Sequence, residues 1–365
     1  MSSKASMETP EVNNNLFNPR QIPTLGYTVQ NILISLATVV TASASLFFTF
    51  AIILPISIMR MLAPRKYLQA PGPASLADKN KVILIVGASR GIGFNVLKQY
   101  ANDPDTVIIA ASKSIESIRK AVIELGDTAA IIQCAEIDLT ATKKQLGDSV
   151  RALDKQYGPI THLYEVSGIS NHLKDSSAWG LDVTSDMINV NVSGTVTSVL
   201  TMYELMKSRG YGKICVVGSV AGLYSPANMI SYASTKAFIN TFSTSLRVLA
   251  APCGVDVITV QPGFIDTRMT KMMRGQGSTV PGGEFASAAG MAKCMKDAVE
   301  LGGIGVVSWP VRQSVQMYAL KGHCGYPLSF GDKNADLIYL AVNPICEEIG
   351  KWVSMKLGMS GKKIT

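Results

Sequence analysis

Tyr232 and Lys236 stand four residues apart in Tyr232-Ala233-Ser234-Thr235-Lys236, a spacing that puts both on one face of a helix. A free phenol titrates near about 10 and exchanges its proton reluctantly at neutral pH. An ammonium one turn away stabilises the phenolate, which makes the pair a candidate general acid–base. Tyr-x-x-x-Lys also recurs by chance on exposed helices, so the pair needs company. Thirteen residues before Tyr232, Gly218-Ser219-Val220-Ala221-Gly222 follows a buried β-branched run. Ser219 is thus expected at the carboxyl end of a strand, where its hydroxyl can hydrogen-bond a developing alkoxide. Further back, Asn191 lies in Asn189-Val190-Asn191-Val192-Ser193-Gly194, a helical region.

A second group of residues suits a phosphorylated ligand. Lys81 to Val86 is a short apolar run that reads as a buried parallel strand. It runs into Gly87-Ala88-Ser89-Arg90-Gly91-Ile92-Gly93 and then an amphipathic stretch from Phe94 to Tyr100. Strand, glycine turn and helix form the context of a dinucleotide site: glycines admit a pyrophosphate and the helix start offers free N–H groups. The spacing is G-x3-G-x-G rather than G-x-G-x-x-G, and a tight structural turn is the rival reading. Gly87-x-Ser89-x-Gly91 also matches a hydrolase nucleophile elbow, but no histidine or acid is placed to complete a triad. The next strand, Thr106 to Ala111, ends in Ser112-Lys113 where an NAD site would carry an acid. Lys113 and Arg90 are two cations near the expected adenosine ribose, which favours the 2′-phosphate of NADPH over NADH; otherwise Lys113 is simply solvated.

These groups need a scaffold that brings strand ends together. Further strands are expected at Ala130 to Ile137, Ile160 to Val166, Lys213 to Val217, Val255 to Val260 and Gly303 to Trp309, with helical patterns between them. Such alternation predicts an α/β fold with a doubly wound parallel sheet of Rossmann type, its ligands at the carboxyl ends of the strands.

Taken in order, the glycine motif, Asp138, Asn191, Ser219, Tyr232, Lys236 and Pro262-Gly263 resemble the short-chain dehydrogenase/reductase family across about Lys81 to Pro310. The resemblance implies Tyr232 as general acid toward a carbonyl and Lys236 as the group that holds the nicotinamide ribose and depresses the Tyr232 pKa. It implies Ser219 as the residue orienting the substrate oxygen and Asn191 as support for a water path to Lys236. Asp138 would bind the adenine amine. Gly168 would let the cofactor pass, and Pro262, Gly263, Ile265 and Thr267 would pack against the nicotinamide. One motif departs: Glu165-Val166-Ser167-Gly168 stands where the family usually carries Asn-Asn-Ala-Gly. That puts local sheet-stabilising hydrogen bonds in doubt without removing a catalytic group.

Composition adds a membrane to this picture. Hydrophobic residues make up 47% of the chain, charged residues 16%, and the formal net charge is +8. That sign suits a phosphorylated cofactor or an anionic membrane face. Nucleic acid is not expected, since neither a basic run interleaved with aromatics nor zinc-finger spacing occurs. From Gln21 to Met59 there is no charged residue, and Ile32 to Ile58 is long enough for a transmembrane helix. A cleaved signal peptide would have a shorter apolar core nearer the start; a hairpin in one leaflet is the other option, given Pro55. Arg60, Arg65 and Lys66 after the segment, against Arg20 before it, place the bulk of the chain in the cytosol. Lys362 and Lys363 before Ile364-Thr365 resemble a dilysine retrieval signal, so the endoplasmic reticulum membrane is the expected location. Six scattered cysteines without a C-x-x-C pair read as buried thiols in a reducing compartment, and no metal cluster is visible.

The expected organisation is a disordered tail at 1–27, a transmembrane anchor at 28–60, a linker at 61–80, a catalytic domain at 81–310 and a C-terminal extension at 311–365. The extension includes a membrane-surface helix or cap at Ala335 to Met359. Asp266 to Ala286 is expected to form the substrate loop; Met269, Met272 and Met273 suit a greasy ligand or fill core, and Lys271 and Arg274 could meet an anionic head group. In layout the chain resembles the 3-ketodihydrosphingosine reductases, which implies a long-chain lipid ketone as substrate. The 3-oxoacyl-CoA reductases of fatty-acid elongation stay close, and steroid or retinoid carbonyls are further off. Family members often form homo-oligomers, but nothing in the sequence marks an interface. Two other readings are a catalytically decayed NADP-binding scaffold, which the intact Ser219, Asn191, Tyr232 and Lys236 argue against, and an oxidative NAD dehydrogenase.

Overall fold

The computed structural model describes residues 25–53, 55, 58, 59, 81–170, 180–223, 229–275, 285–314 and 317. The start of the tail, the linker at 61–80, the 335–359 segment and the terminal lysines lie outside the described residues, as do the side chains of Met272, Met273 and Arg274.

The chain divides into two units. The first carries helix α1 (Leu25–Phe48) and a π-helical turn, Thr49–Ile53. Its Thr41 and Ser43 hydroxyls turn back onto the Ala37 and Val39 carbonyls at 2.8 and 2.9 Å, so these polar groups are satisfied within the helix. Leu33, Val39 and Val40 are exposed. Among the described residues, no helix is long and apolar enough to cross a membrane, so the expected transmembrane span is not met by a described helix.

The second unit is built on seven parallel strands: β1 (Lys81–Val86), β2 (Thr106–Ser112), β3 (Ile131–Glu136), β4 (His162–Glu165), β5 (Gly212–Val217), β6 (Val255–Pro262) and β9 (Val306–Trp309). The two-residue strands β7 (Ile265–Asp266) and β8 (Ala286–Ser287) form a separate ladder. The sheet order is β3-β2-β1-β4-β5-β6-β9. The order reverses beside β1, and a crevice opens at the carboxyl ends of β1 and β4, where doubly wound sheets bind ligands.

Alternating side chains along each strand feed two layers. On one face Leu84, Val86, Leu163, Ile214 and Val216 pack with helices α4 (Lys143–Tyr157), α6 (Thr195–Arg209) and α7 (Ile230–Ala250) through Leu146, Val150, Val199, Met202, Ile239 and Leu246. On the other, Ile83, Ile85, Tyr164 and Cys215 pack with α2 (Gly91–Tyr100), α3 (Ile115–Leu125) and α9 (Ala288–Leu301). The near-continuous burial of β1, β4 and β5 is what a parallel sheet covered on both faces requires. Of the described cysteines, only Cys215 is buried; Cys134, Cys253 and Cys294 are half-exposed.

Strand β3 is one residue shorter at each end than expected; β4 and β9 are three residues shorter each, for physical reasons. Before β4, Thr161 gives and takes hydrogen bonds with the Val82 backbone through its hydroxyl, which replaces part of the regular ladder. Before β9, Gly302 and Gly303 adopt φ of +71° and +66°, a turn that a strand cannot include. The domain also runs past 310: Gln313 and Ser314 are buried, and Ser314 N–H donates to Pro310 O at 3.1 Å.

Candidate active site

The glycine turn after β1 is fixed by backbone. Gly87 and Ala88 N–H groups donate to Ala111 O at the end of β2, at 2.8 and 3.0 Å. Gly87 has φ +94° and Gly91 φ +59°, conformations that L side chains disfavour. A Cβ on Gly93 would run into the Gly87 carbonyl, so α2 can start directly on the loop only with glycine there. Arg90 is the N-cap of α2 and makes no side-chain cap, which leaves the positive end of the helix available to an anion. Ser89 and Ile92 flank this turn half-buried. A Cβ on Gly87 would sit 2.7 Å from Ser167 Oγ, and one on Gly91 3.5 Å from Thr267 Cγ2. The loop thus meets the segments after β4 and after β6.

At the end of β2 the two residues expected to serve the adenosine are joined to each other. Lys113 Nζ lies 2.9 Å from Asp138 Oδ2 and donates to Thr140 Oγ1 at 3.0 Å. Asp138 Oδ1 accepts Thr140 N–H and O–H at 2.8 and 2.6 Å. Partial burial pushes the Asp138 carboxyl up, but the Thr140 and Lys113 hydrogen bonds outweigh it and hold the group below the usual carboxylate range. Lys113 is exposed yet paired, which differs from the expectation of a simply solvated side chain. The Ser112 hydroxyl donates to Ser114 O at 3.0 Å.

Ser219 is set at the end of β5 by a clamp that sequence reading missed. Asn240 Nδ2 donates to Ser219 O at 2.9 Å, and Ser219 N–H donates to Asn240 Oδ1 at 3.4 Å. Gly218 leaves room for the Asn240 amide, and Gly222 packs directly on the backbone of Lys236 and Ala237. The only sequence signal for Asn240 is its place one turn beyond Lys236. The Ser219 hydroxyl accepts Ala221 N–H at 3.0 Å and points within 3.4 Å of Pro262 O. Asn240→Ala strips partners from a buried amide and a buried carbonyl. We expect it to cost about 2 kcal/mol in urea denaturation; a loss below about 0.5 kcal/mol would show that the clamp is dispensable.

Tyr232 and Lys236 lie one turn apart on α7, with Nζ 5.9 Å from the phenol ring centroid. Lys236 is buried, and its Nζ donates to Val217 O at 2.8 Å. Burial pulls the ammonium down to about 8, partly offset by the Glu165 carboxyl. The Tyr232 phenol is held above its ordinary value, because burial outweighs the lowering by the Ser219 hydroxyl. This departs from the expected depression by Lys236. Asn191 sits in a π-helical turn, Ile188–Gly194, a geometry frequent at functional sites. Its amide pairs with both backbone groups of Ile169 at 2.9 Å and donates to Thr235 Oγ1 at 3.2 Å. A Cβ on Gly168 would lie 3.4 Å from both Asn191 Oδ1 and Lys236 Nζ, so Gly168, Asn191 and Lys236 converge.

After β6, Gly263 N–H donates to Trp309 O and Phe264 N–H to Gln313 Oε1, at 2.9 and 2.7 Å. Ile265 is buried in β7, and Thr267 N–H donates to Thr270 Oγ1 at 3.0 Å. Gln313 was not anticipated, because nothing near it in the chain marks it. The Glu165 substitution proves more consequential than its sequence reading: the side chain is 1% exposed and interacts electrostatically with Lys236.

The sequence pattern of the short chain dehydrogenase family matches residues 81–277, more than half of the chain. An uncharacterized oxidoreductase of Bacillus subtilis, YxjF, is 27% identical over 194 residues, covering 53% of this chain and 74% of that one. The 3-oxoacyl-acyl-carrier-protein reductase of Rattus norvegicus is 29% identical over 218 residues, covering 58% and 88%. Among solved structures, a short-chain dehydrogenase from Sphingobium yanoikuyae in complex with NADPH superposes with a TM-score of 0.57 at 20% identity, covering 66% of this chain and 92% of that one. The chain belongs to the short-chain dehydrogenase family and is an oxidoreductase acting on CH–OH or C=O groups.

Proposed function

We propose that the protein is an NADPH-dependent reductase of a hydrophobic, long-chain lipid ketone of the 3-ketodihydrosphingosine type. The observation that carries the reading is the convergence of Ser219, Tyr232 and Lys236 beside the glycine turn, with Asn191 and Gly168 against the Lys236 ammonium. In this reading Gly87 to Gly93, Gly168 and Pro262 to Thr267 would hold a nicotinamide cofactor, which would supply the hydride for the carbonyl carbon. The Tyr232 O–H donates its proton to the carbonyl oxygen, which the Ser219 hydroxyl orients. Lys236 holds the ribose and favours the charge left on the phenol. Support for a membrane anchor comes from the uncharged Gln21 to Met59 stretch and the exposed apolar residues of α1. The endoplasmic reticulum location, with the catalytic unit in the cytosol, rests on the sequence signals alone. A second reading, reduction of a 3-oxoacyl thioester, is favoured by the likeness to the rat reductase named above.

The test is cofactor consumption by the full chain in membranes, offered long-chain 3-ketones and 3-oxoacyl-CoA with NADPH or NADH. We expect NADPH and the free ketone to be preferred about tenfold or more. Arg90→Ala is expected to weaken NADPH about tenfold and NADH less than about twofold. Lys113→Ala should do more, since it also leaves the Asp138 carboxylate without its counter-charge beside the adenosine. Equal weakening of both cofactors would contradict the phosphate assignment, and preference for the thioester would install the second reading.

A further inference from the structure

β4 ends on a carboxyl group enclosed by the sheet. Glu165 pairs in register with Val86 of β1 on one side and Val216 of β5 on the other, at the usual strand separation of about 4.8 Å. It shares the strand face of Leu163 and is 1% exposed. Among the described residues, neither carboxyl oxygen has a hydrogen-bond partner of good geometry, nor has the Ser198 hydroxyl on α6. The Ser198 hydroxyl and the Ser167 amide do lie near enough to favour the charged form. An isolated buried carboxylate is too costly to persist without a counter-charge.

Among the described residues, Lys236 is placed to supply it. The Lys236 ammonium, also buried at 4% exposure, is bonded to Val217 O, the residue after the Glu165 register partner on β5. Other charged or titratable groups on the surrounding elements are engaged elsewhere. Lys81 of β1 pairs with Glu300, and Lys213 of β5 donates to the Val299 and Glu300 carbonyls. Cys215 packs in the opposite layer. On α6, Tyr203 turns to Cys253, Arg209 to Asp154, and Glu204 and Lys207 are exposed. On α7, Arg247 donates to Val257 O and Tyr232 is turned to Ser219. Burial pushes Glu165 up to about 8 and Lys236 down to about 8, each opposed by the other's charge. Their protonation steps belong to the pair.

We propose that Glu165 is a positioning residue for the reductase reaction: acting through Lys236, it keeps that buried ammonium charged at the alkaline end of the working range. It never touches the substrate. As pH rises, Glu165 loses its proton and the new carboxylate retains the proton on Lys236. A family asparagine at this place would be neutral and could not do this.

The inference rests on the reading of Lys236 given above, and two measurements separate their failures. The first is the pH profile of kcat/KM for ketone reduction by the full chain, wild type against Glu165→Gln, the uncharged isostere. The ratio of variant to wild type should fall about tenfold between about pH 6 and about pH 9, as expected for an alkaline limb moved about one pH unit lower. Glu165→Asp should restore part of that limb. A ratio constant with pH would overturn the inference, because a merely structural defect scales all points alike. The second needs no turnover: urea midpoints of Glu165→Gln, Lys236→Met and the double variant. They should add at about pH 5, where the carboxyl is protonated, and deviate from additivity at about pH 8. Additivity at both pH values overturns the inference. Coupling in a protein that reduces no ketone would preserve the pair and retire the reductase reading instead.

Discussion

Tyr232→Phe is expected to lower the rate of carbonyl reduction about 1,000-fold and to leave NADPH affinity within about twofold. The change removes one oxygen and keeps the ring, so helix α7 should pack as before. Lys236 does not depend on the phenol for its position, since its Nζ is bonded to Val217 O at 2.8 Å. Ser219 is likewise held by Asn240 rather than by Tyr232. What is lost is the proton that must reach the carbonyl oxygen as hydride arrives. The half-buried phenol is held above its ordinary value by desolvation and so remains protonated at neutral pH, the state an acid needs for reduction. Single-turnover rates and cofactor fluorescence titration separate the two effects. If the variant kept more than about a tenth of the wild-type rate, another group or water would be the donor.

Gly93→Ala is the second large effect. Its Cβ would enter the space of the Gly87 carbonyl, with Ala88 Cα 3.3 Å away. The loop cannot yield easily, because Gly87 and Ala88 are bonded to Ala111 and Gly87 lies against Ser167. We expect a stability loss of about 2–3 kcal/mol in urea denaturation, from overpacking of backbone against backbone. NADPH affinity should fall at least about tenfold, since the start of α2 must move away from the pyrophosphate position. Gly210→Ala is the control: its φ is +68° but open space surrounds it. It should cost about 1 kcal/mol from left-handed strain and leave cofactor binding intact. Similar binding losses in both would show that the effect comes through general destabilisation.

The contrast between these sites shows what the sequence carried. The run Val82 to Val86 announced a buried strand because apolar, mostly β-branched residues recur without polar interruption, and Val255 to Val260 did so because β-branched residues dominate it despite Asp256. Tyr232, Lys236 and Ser219 were legible because helical spacing and strand-end placement are local. Asn240, Gln313 and the Lys113–Asp138 pair were not, since each takes its meaning from a partner that only the folded sheet brings near. Glu165 was visible as a misfit at a strand end, yet its partner is on α7, and nothing in linear order connects them. The net direction of the Tyr232 shift was missed for a related reason: spacing reports a neighbouring charge but not the depth of burial.

The bond from Gln313 to the Phe264 N–H has a consequence in time. A chain made from its amino end acquires β9 before it acquires Gln313, so every strand of the sheet is available while the turn after β6 still lacks this fastening. The turn after β6 is therefore fastened by a residue that is made after the last strand of the sheet, a latch that comes later in the chain than the shelf it closes on.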